Sequence, residues 1–108
     1  MSLYRFQSRE TGDLVMLQPS GKRILEILGK DPAGAGIIQA AEMPGAVEAL
    51  RAAAAAEEAD HQRMKDEAKA NGDPEPQFEA VSLRMRITPF IEMMQRCQKA
   101  GVEIVWGV

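Results

Sequence analysis

Residues 81–108 of this 108-residue chain read VSLRMRITPFIEMMQRCQKAGVEIVWGV, and the pattern of this stretch decides the fold. Apolar side chains recur at steps of three and four residues, which places them on one helix face; they are Leu83, Ile87, Phe90, Ile91, Met94 and Cys97. Gly101 then supplies the left-handed residue at which helices commonly end. Residues 102–106 (VEIVW) have strand composition. We therefore predict a helix that runs directly into a C-terminal strand.

Pro89 lies inside this predicted helix. It has no N–H to donate to the carbonyl of Met85, so either the helix kinks there or a new helix begins with Thr88 as its cap. The apolar stripe keeps its phase across the proline. We therefore predict one kinked helix from Ser82 to about Lys99.

The start of the chain predicts a β-hairpin over residues 3–17. Alternation in residues 3–7 places Tyr4 and Phe6 on the side that faces a core. Gly12 suits the positive φ of a tight hairpin loop. The uniformly apolar residues 14–17 are typical of a strand covered on both faces.

Two further helices are predicted between the hairpin and the C-terminal stretch. The first opens near Pro19 with Ser20 as a candidate cap and ends at Gly29. Ile37 and Ile38 then form either a strand fragment or a plug into the core. The second helix runs from Pro44 to about residue 70, with Met64 on its inner side. Its length of roughly 40 Å exceeds the ~35 Å breadth of a compact domain of this size, so we expect its polar second half to project, fray or find a partner.

The chain is predicted to form a single domain over residues 1–108, because this length supports one core and not two. Hydrophobic residues make up 45% and charged residues 27%, as in an ordinary globular protein. Glycine and prolines at about 71–80 predict a mobile linker. The predicted fold class is α+β: a small, mainly antiparallel three-stranded sheet from the N-terminal hairpin and the C-terminal strand, with about three helices on one face.

Charge and hydropathy narrow the class of partner. The net charge of −3 removes the positive surface expected of a dedicated nucleic-acid binder. No run approaches the ~18 apolar residues of a membrane span, and the N-terminus lacks a signal-peptide pattern. We therefore expect a cytoplasmic protein that binds neither nucleic acid nor membrane. Its single cysteine, Cys97, cannot form an internal disulfide, which fits a reducing compartment.

No recognisable catalytic or metal-binding constellation is present. His61, the only histidine, lies four residues after Glu57 on the predicted helix, so the two side chains could meet and act as a general base or as half of a metal site. A zinc site needs more His or Cys ligands than this chain has, so a surface role for His61 is favoured. Cys97 lies on the apolar face near a helix C-terminus, which favours a buried structural thiol. We predict no catalytic residue, no cofactor, no metal and no enzymatic activity.

Three blocks of sequence resemble one family when they are taken together and in order: YRFQSRETGDLVML at residues 4–17, GIIQAAEMPGAVEAL at residues 36–50, and residues 81–108. They are similar to the short bacterial proteins grouped as the domain-of-unknown-function 1840 family. The resemblance covers nearly the whole chain and implies one whole-chain domain. It implies no activity, cofactor or catalytic residue. The segment 65–79 is less acidic here than in the family.

The outer side of the C-terminal helix carries the candidate surface for a partner. Arg84 and Arg96 are expected opposite the apolar stripe, where they could attract an anion or an acidic partner. Met93 falls beside the stripe and widens the apolar face beyond what one neighbouring element covers. Any amphipathic surface helix also carries such charges. Arg84, Met93 and Arg96 are therefore a hypothesis for a partner or anion surface.

These features together predict a non-enzymatic interaction module that acts as a homodimer. A bare three-stranded sheet has two faces and two edges to protect, and the long helix and the apolar face near Met93 add surface for contact. The alternative is a domain that binds a small organic anion, or a minor enzymatic domain, in which Cys97, His61 or the arginines line a pocket.

Overall fold

The computed structural model describes residues 3–107, so Met1, Ser2 and Val108 at the ends of the predicted domain lie outside it. The elements follow the order β1 (Leu3–Phe6), β2 (Leu14–Leu17), α1 (Gln18–Ile27), β3 (Gly36–Ile38), α2 (Met43–Asn71), α3 (Leu83–Ala100) and β4 (Ile104–Trp106). A short 3-10 turn leads into α2. The predicted α+β class, with three helices, an N-terminal hairpin and antiparallel strand pairing, is confirmed.

The strands are arranged differently from the predicted three-stranded sheet. The C-terminal strand β4 pairs with β3, in which Ile37 faces Val105, and β1 pairs with β2. The two ladders join through one bridge, between Gln7 and Val105. The three-residue strand β3 was missed as a partner because two isoleucines are too short a pattern to separate a strand from a core plug.

The apolar face of α3 forms the centre of the core, as predicted. Its six stripe residues are at most 7% exposed. Phe6 of the hairpin meets Phe90 of α3 edge to face, with ring centroids 4.7 Å apart, and lies 5.9 Å from Trp106 of β4. Each such buried side chain contributes on the order of 1.5–3 kcal/mol. The prediction that Phe6 faces the core is confirmed, and Trp106 is buried beside it.

The ends of α3 are fixed by local sequence. The Ser82 hydroxyl accepts a hydrogen bond from the N–H of Met85, and Gly101 closes the helix with a φ of 72°. The helix continues through Pro89, as predicted. For α1, the predicted cap was wrong: the helix begins one residue before Pro19, and Leu17 occupies the cap position without a side-chain hydrogen bond.

The helix α2 projects beyond the body of the domain. Its 29 residues span about 43 Å, and the described chain measures 53 × 30 × 21 Å. Small side chains such as Ala54, which is fully buried, let α3 approach its first half closely. Met64 is 37% exposed, so its predicted inward position was wrong. At this residue α2 already extends beyond the core of the domain. No helix of residues 3–107 is long and apolar enough to cross a membrane.

The segment between α2 and α3 returns along α2. Residues 73–82 form neither helix nor strand. The ring of Phe78 stacks on the His61 imidazole, with centroids 3.8 Å apart, and Glu75 lies 3.9 Å from Lys65. The predicted mobility of this linker stays a prediction.

Gly36 is required for the packing of β3 against β4. A Cβ added at Gly36 would lie 2.2 Å from Cζ2 of Trp106, whereas one added at Gly34 meets nothing within 4 Å. We predict that Gly36→Ala lowers the free energy of unfolding by about 1–3 kcal/mol, because Trp106 is buried and cannot move aside without strain. Gly34→Ala, the matched control, should unfold close to wild type in urea. Equal midpoints for both variants would contradict this account of β3.

Candidate interaction surface

The face of the strands that points away from the helices is apolar and open. Alternation along the strands directs one set of side chains outward. Its large apolar members in β1, β2 and β3 are 41–58% exposed; they are Leu3, Val15, Leu17 and Ile37. The outward side chain of Val105 lies opposite Ile37. We name these five residues the outer sheet face.

The outer sheet face carries one pair of opposite charges at its centre. Leu3 lies opposite Leu17, and Arg5 lies opposite Val15. The guanidinium of Arg5 lies 3.7 Å from the Asp13 carboxylate, and both side chains are more than 40% exposed. An exposed pair of this kind adds little to stability, at most about 1 kcal/mol. Apolar side chains therefore flank a balanced, hydrated charge pair.

Arg84, predicted to serve a partner or an anion, is already engaged within the chain. Its Nε and Nη2 donate to the two carboxylate oxygens of Glu58 on α2, at 2.7 and 2.8 Å. These hydrogen bonds lower the pKa of Glu58 from its usual value and raise the pKa of Arg84. A paired, bidentate guanidinium is a weaker anion site than an unpaired one.

Glu57, next to Glu58, ties three helices together. One carboxylate oxygen accepts the N–H of Leu83 at the start of α3 (2.9 Å), and the other accepts from Arg23 of α1 (3.1 Å). Burial acts to raise the pKa of Glu57, but the Leu83 N–H and the Arg23 guanidinium outweigh it, so that this pKa is lowered from 4.5. The start of α3 thus receives a negative charge where the helix dipole favours one.

Met93 and Arg96 lie together, at a distance from Arg84. Met93 is 5% exposed, so it offers little surface to a partner, and its role in a partner surface stays a prediction. Together with Arg96, Glu92 and Asp13 it lines a cleft of about 230 Å³ between the hairpin loop and α3. Two carboxylates face one guanidinium there, which does not favour an organic anion. Arg84 stands twelve residues, or about 18 Å, further back along α3.

Cys97 and His61, the two candidates for a chemical role, both contact neighbouring side chains. Cys97 is fully buried, with its Sγ 3.0 Å from the Ser8 hydroxyl. His61 stacks on Phe78, and its neighbour Glu57 is held by other groups. Among residues 3–107, no cluster of three or more His, Cys, Asp or Glu side chains is placed to hold a metal ion.

Sequence reasoning missed the outer sheet face as a surface. The alternation of residues 3–7 predicted that Leu3 and Arg5 point away from the core, and this signal could have identified half of it. The part of the outer sheet face that lies on β2 could not be identified in this way, because four consecutive apolar residues predicted a strand buried on both faces. In the structure Val15 and Leu17 are 45% and 51% exposed.

The carboxylate of Glu57 should make the free energy of unfolding depend on pH in the acidic range. Because its pKa is lower in the folded state than its usual 4.5, its contribution is present above about pH 4.5 and is lost as the pH falls through the folded value. We predict that Glu57→Gln lowers the unfolding free energy at neutral pH by about 1–3 kcal/mol and flattens its decline below pH 4.5. Urea titrations across pH test this, with Glu48→Gln, an exposed glutamate of the same helix, as control. An unchanged acid slope in Glu57→Gln would refute it.

Comparison with known proteins adds a family and no activity. Residues 2–106, nearly the whole chain, match the family described as Domain of unknown function (DUF1840). No curated protein and no solved structure matches the chain. The resemblance carried by the three sequence blocks is confirmed: the chain belongs to the DUF1840 family.

Proposed function

We propose that this protein is a non-enzymatic cytoplasmic interaction module that forms a homodimer through its outer sheet face. The observation that carries the proposal is the 41–58% exposure of four large apolar side chains on that one face. The helices protect the opposite face and leave this one to water. Exposed apolar side chains gathered on one side of a small domain are typical of a contact site for another molecule.

A second copy is the partner that fits the charges of this face. Arg5 and Asp13 project from the same face with opposite signs. A two-fold axis through the face brings the Arg5 of one copy towards the Asp13 of the other, as an isologous interface requires. Leu17 and Val15 then meet apolar surface in place of water, with each charge kept beside an opposite one.

The dimensions of the face determine how strong this association can be. The strands offer roughly 15 Å along their length and about 20 Å across, from the rise and spacing of β-strands. This is smaller than the ~800 Å² that each partner buries in a standard interface. We therefore expect a reversible dimer whose population depends on concentration.

The non-enzymatic part of the proposal rests on the environments of the reactive side chains. Cys97 is buried against Ser8, and His61 is stacked on Phe78. Of the arginines considered for an organic anion, Arg84 is paired with Glu58, and Arg96 shares its cleft with two carboxylates.

A charge on the outer sheet face should abolish the dimer. We predict that Val15→Glu is monomeric at concentrations at which the wild type dimerises, because the contact would bury a second carboxylate beside Arg5, whose guanidinium already pairs with Asp13. Its fold should persist, since the residue opposite is Arg5, which favours an acidic cross-strand neighbour. Sedimentation equilibrium over a range of concentrations measures the effect.

Met85→Glu is the matched control. Met85 is 60% exposed, but it lies on α3 and not on the outer sheet face. It should dimerise like the wild type. A wild type that stays monomeric at high concentration, or a Val15→Glu variant that dimerises normally, would refute the proposed function.

A further inference from the structure

The ladder between β1 and β4 stops after a single bridge. Gln7 and Val105 exchange both backbone hydrogen bonds, at 2.8 and 2.9 Å. Continued by antiparallel register, the next hydrogen-bonded pair would be Arg5 with Gly107. Gly107 instead adopts a φ of 71° and packs against Ala35, so close that an added Cβ would lie 2.7 Å from the Ala35 Cα. The chain therefore turns away from β1 and leaves a gap.

The gap exposes hydrogen-bonding groups of the β1 backbone. Successive residues of a strand direct their N–H and C=O groups to opposite sides. Because Gln7 bonds toward β4, Arg5 also directs its N–H and C=O toward β4, where no backbone group of residues 3–107 pairs with them. Unpaired N–H and C=O groups along the edge of a strand are a template on which another strand can pair.

A cleft of about 300 Å³ occupies this gap. Trp106 and Tyr4 contribute aromatic surface, and the loop 32–35 forms the opposite wall together with Gly107. The Tyr4 hydroxyl donates to the carbonyl of Pro32, which ties the wall to β1. The indole N–H of Trp106 is buried and has no acceptor within residues 3–107.

We propose that this cleft binds an extended peptide segment by strand addition to β1 at Arg5. The backbone N–H and C=O of Arg5 can pair with a C=O and an N–H of a peptide strand. Main-chain hydrogen bonds of this kind hold the added strand in β-augmentation. The small wall residues admit a backbone with small or apolar side chains. Arg5 is the one charged residue among the described lining, and its pair with Asp13 is long (3.7 Å) and exposed, so a carboxylate at the end of a peptide can compete for its guanidinium.

The size of the gap limits the peptide to a few residues. From Leu3 to Arg5 the strand advances about 7 Å, which corresponds to two to three residues of an added strand. So short a contact makes few hydrogen bonds, and we expect weak binding. Strand addition uses the backbone of Arg5, which Val15→Glu leaves in place, so this variant tests strand addition in a monomer. Its added carboxylate lies opposite Arg5 and competes for the guanidinium, so the peptide should bind it more weakly than the wild type.

The probe is N-acetyl-Val-Ala-Val with a free carboxylate, titrated into the full-length protein and into Val15→Glu. Trp106 is the only tryptophan, so its fluorescence reports occupancy of the cleft, and the Arg5 amide resonance reports strand addition. We expect a saturable fluorescence change and a saturable shift of the Arg5 amide in both proteins. Gly34→Leu puts a large side chain on the wall of the cleft and should abolish both signals, and the fold tolerates it because an added Cβ at Gly34 meets nothing within 4 Å.

Gly12→Leu is the matched control, because its Cβ position is also unobstructed but lies in the hairpin loop outside the cleft. It should bind the peptide like the wild type. The proposal is overturned if the Arg5 amide does not shift, if the signals survive in Gly34→Leu, or if acetate produces the same shifts as the peptide. A monomeric wild type that still binds the peptide would refute only the dimer.

Discussion

The packing of Phe6 against Phe90 and Trp106 is the interaction on which the rest of the structure depends. It places the hairpin, α3 and β4 around one fully buried ring. Because Phe6 must point inward, Arg5 and Leu3 must point outward, and the face they form cannot take part in the core. The Phe6 ring also holds β4 beside β1, where the two strands share the single bridge between Gln7 and Val105. Beyond that bridge, the positive φ of Gly107 turns the chain away from β1. The open face and the cleft are thus both consequences of how the core is filled.

Periodicity predicted the parts of the fold that depend on one segment at a time. The stripe of α3, its glycine terminator, the hairpin and the extent of α2 all follow from spacing within single elements. The pairing of β3 with β4 could not be predicted, because the need for glycine at position 36 arises from Trp106, seventy residues later. The Arg84–Glu58 pair joins residues 26 apart on two helices, which no local pattern indicates.

For the candidate site, too, the sequence predicted what depends on single segments and missed what depends on how segments pack together. The sequence indicated a homodimer and an uncovered apolar surface, but it placed that surface on α3 near Met93. Met93 is buried, and the uncovered surface lies across the strands at Val15 and Leu17. A uniformly apolar strand does not reveal which of its faces is buried, because that depends on how many helices the rest of the chain can place against it. Here the helices cover only one side.

The most direct test of this account is to observe contacts between copies. Isotope-filtered nuclear Overhauser spectra of a mixture of labelled and unlabelled protein detect methyl groups that approach each other across an interface. The account predicts intermolecular signals from the methyls of Leu3, Val15, Leu17 and Ile37. Intermolecular signals confined to Met85 on α3, or none at concentrations at which the protein sediments as a dimer, would contradict it.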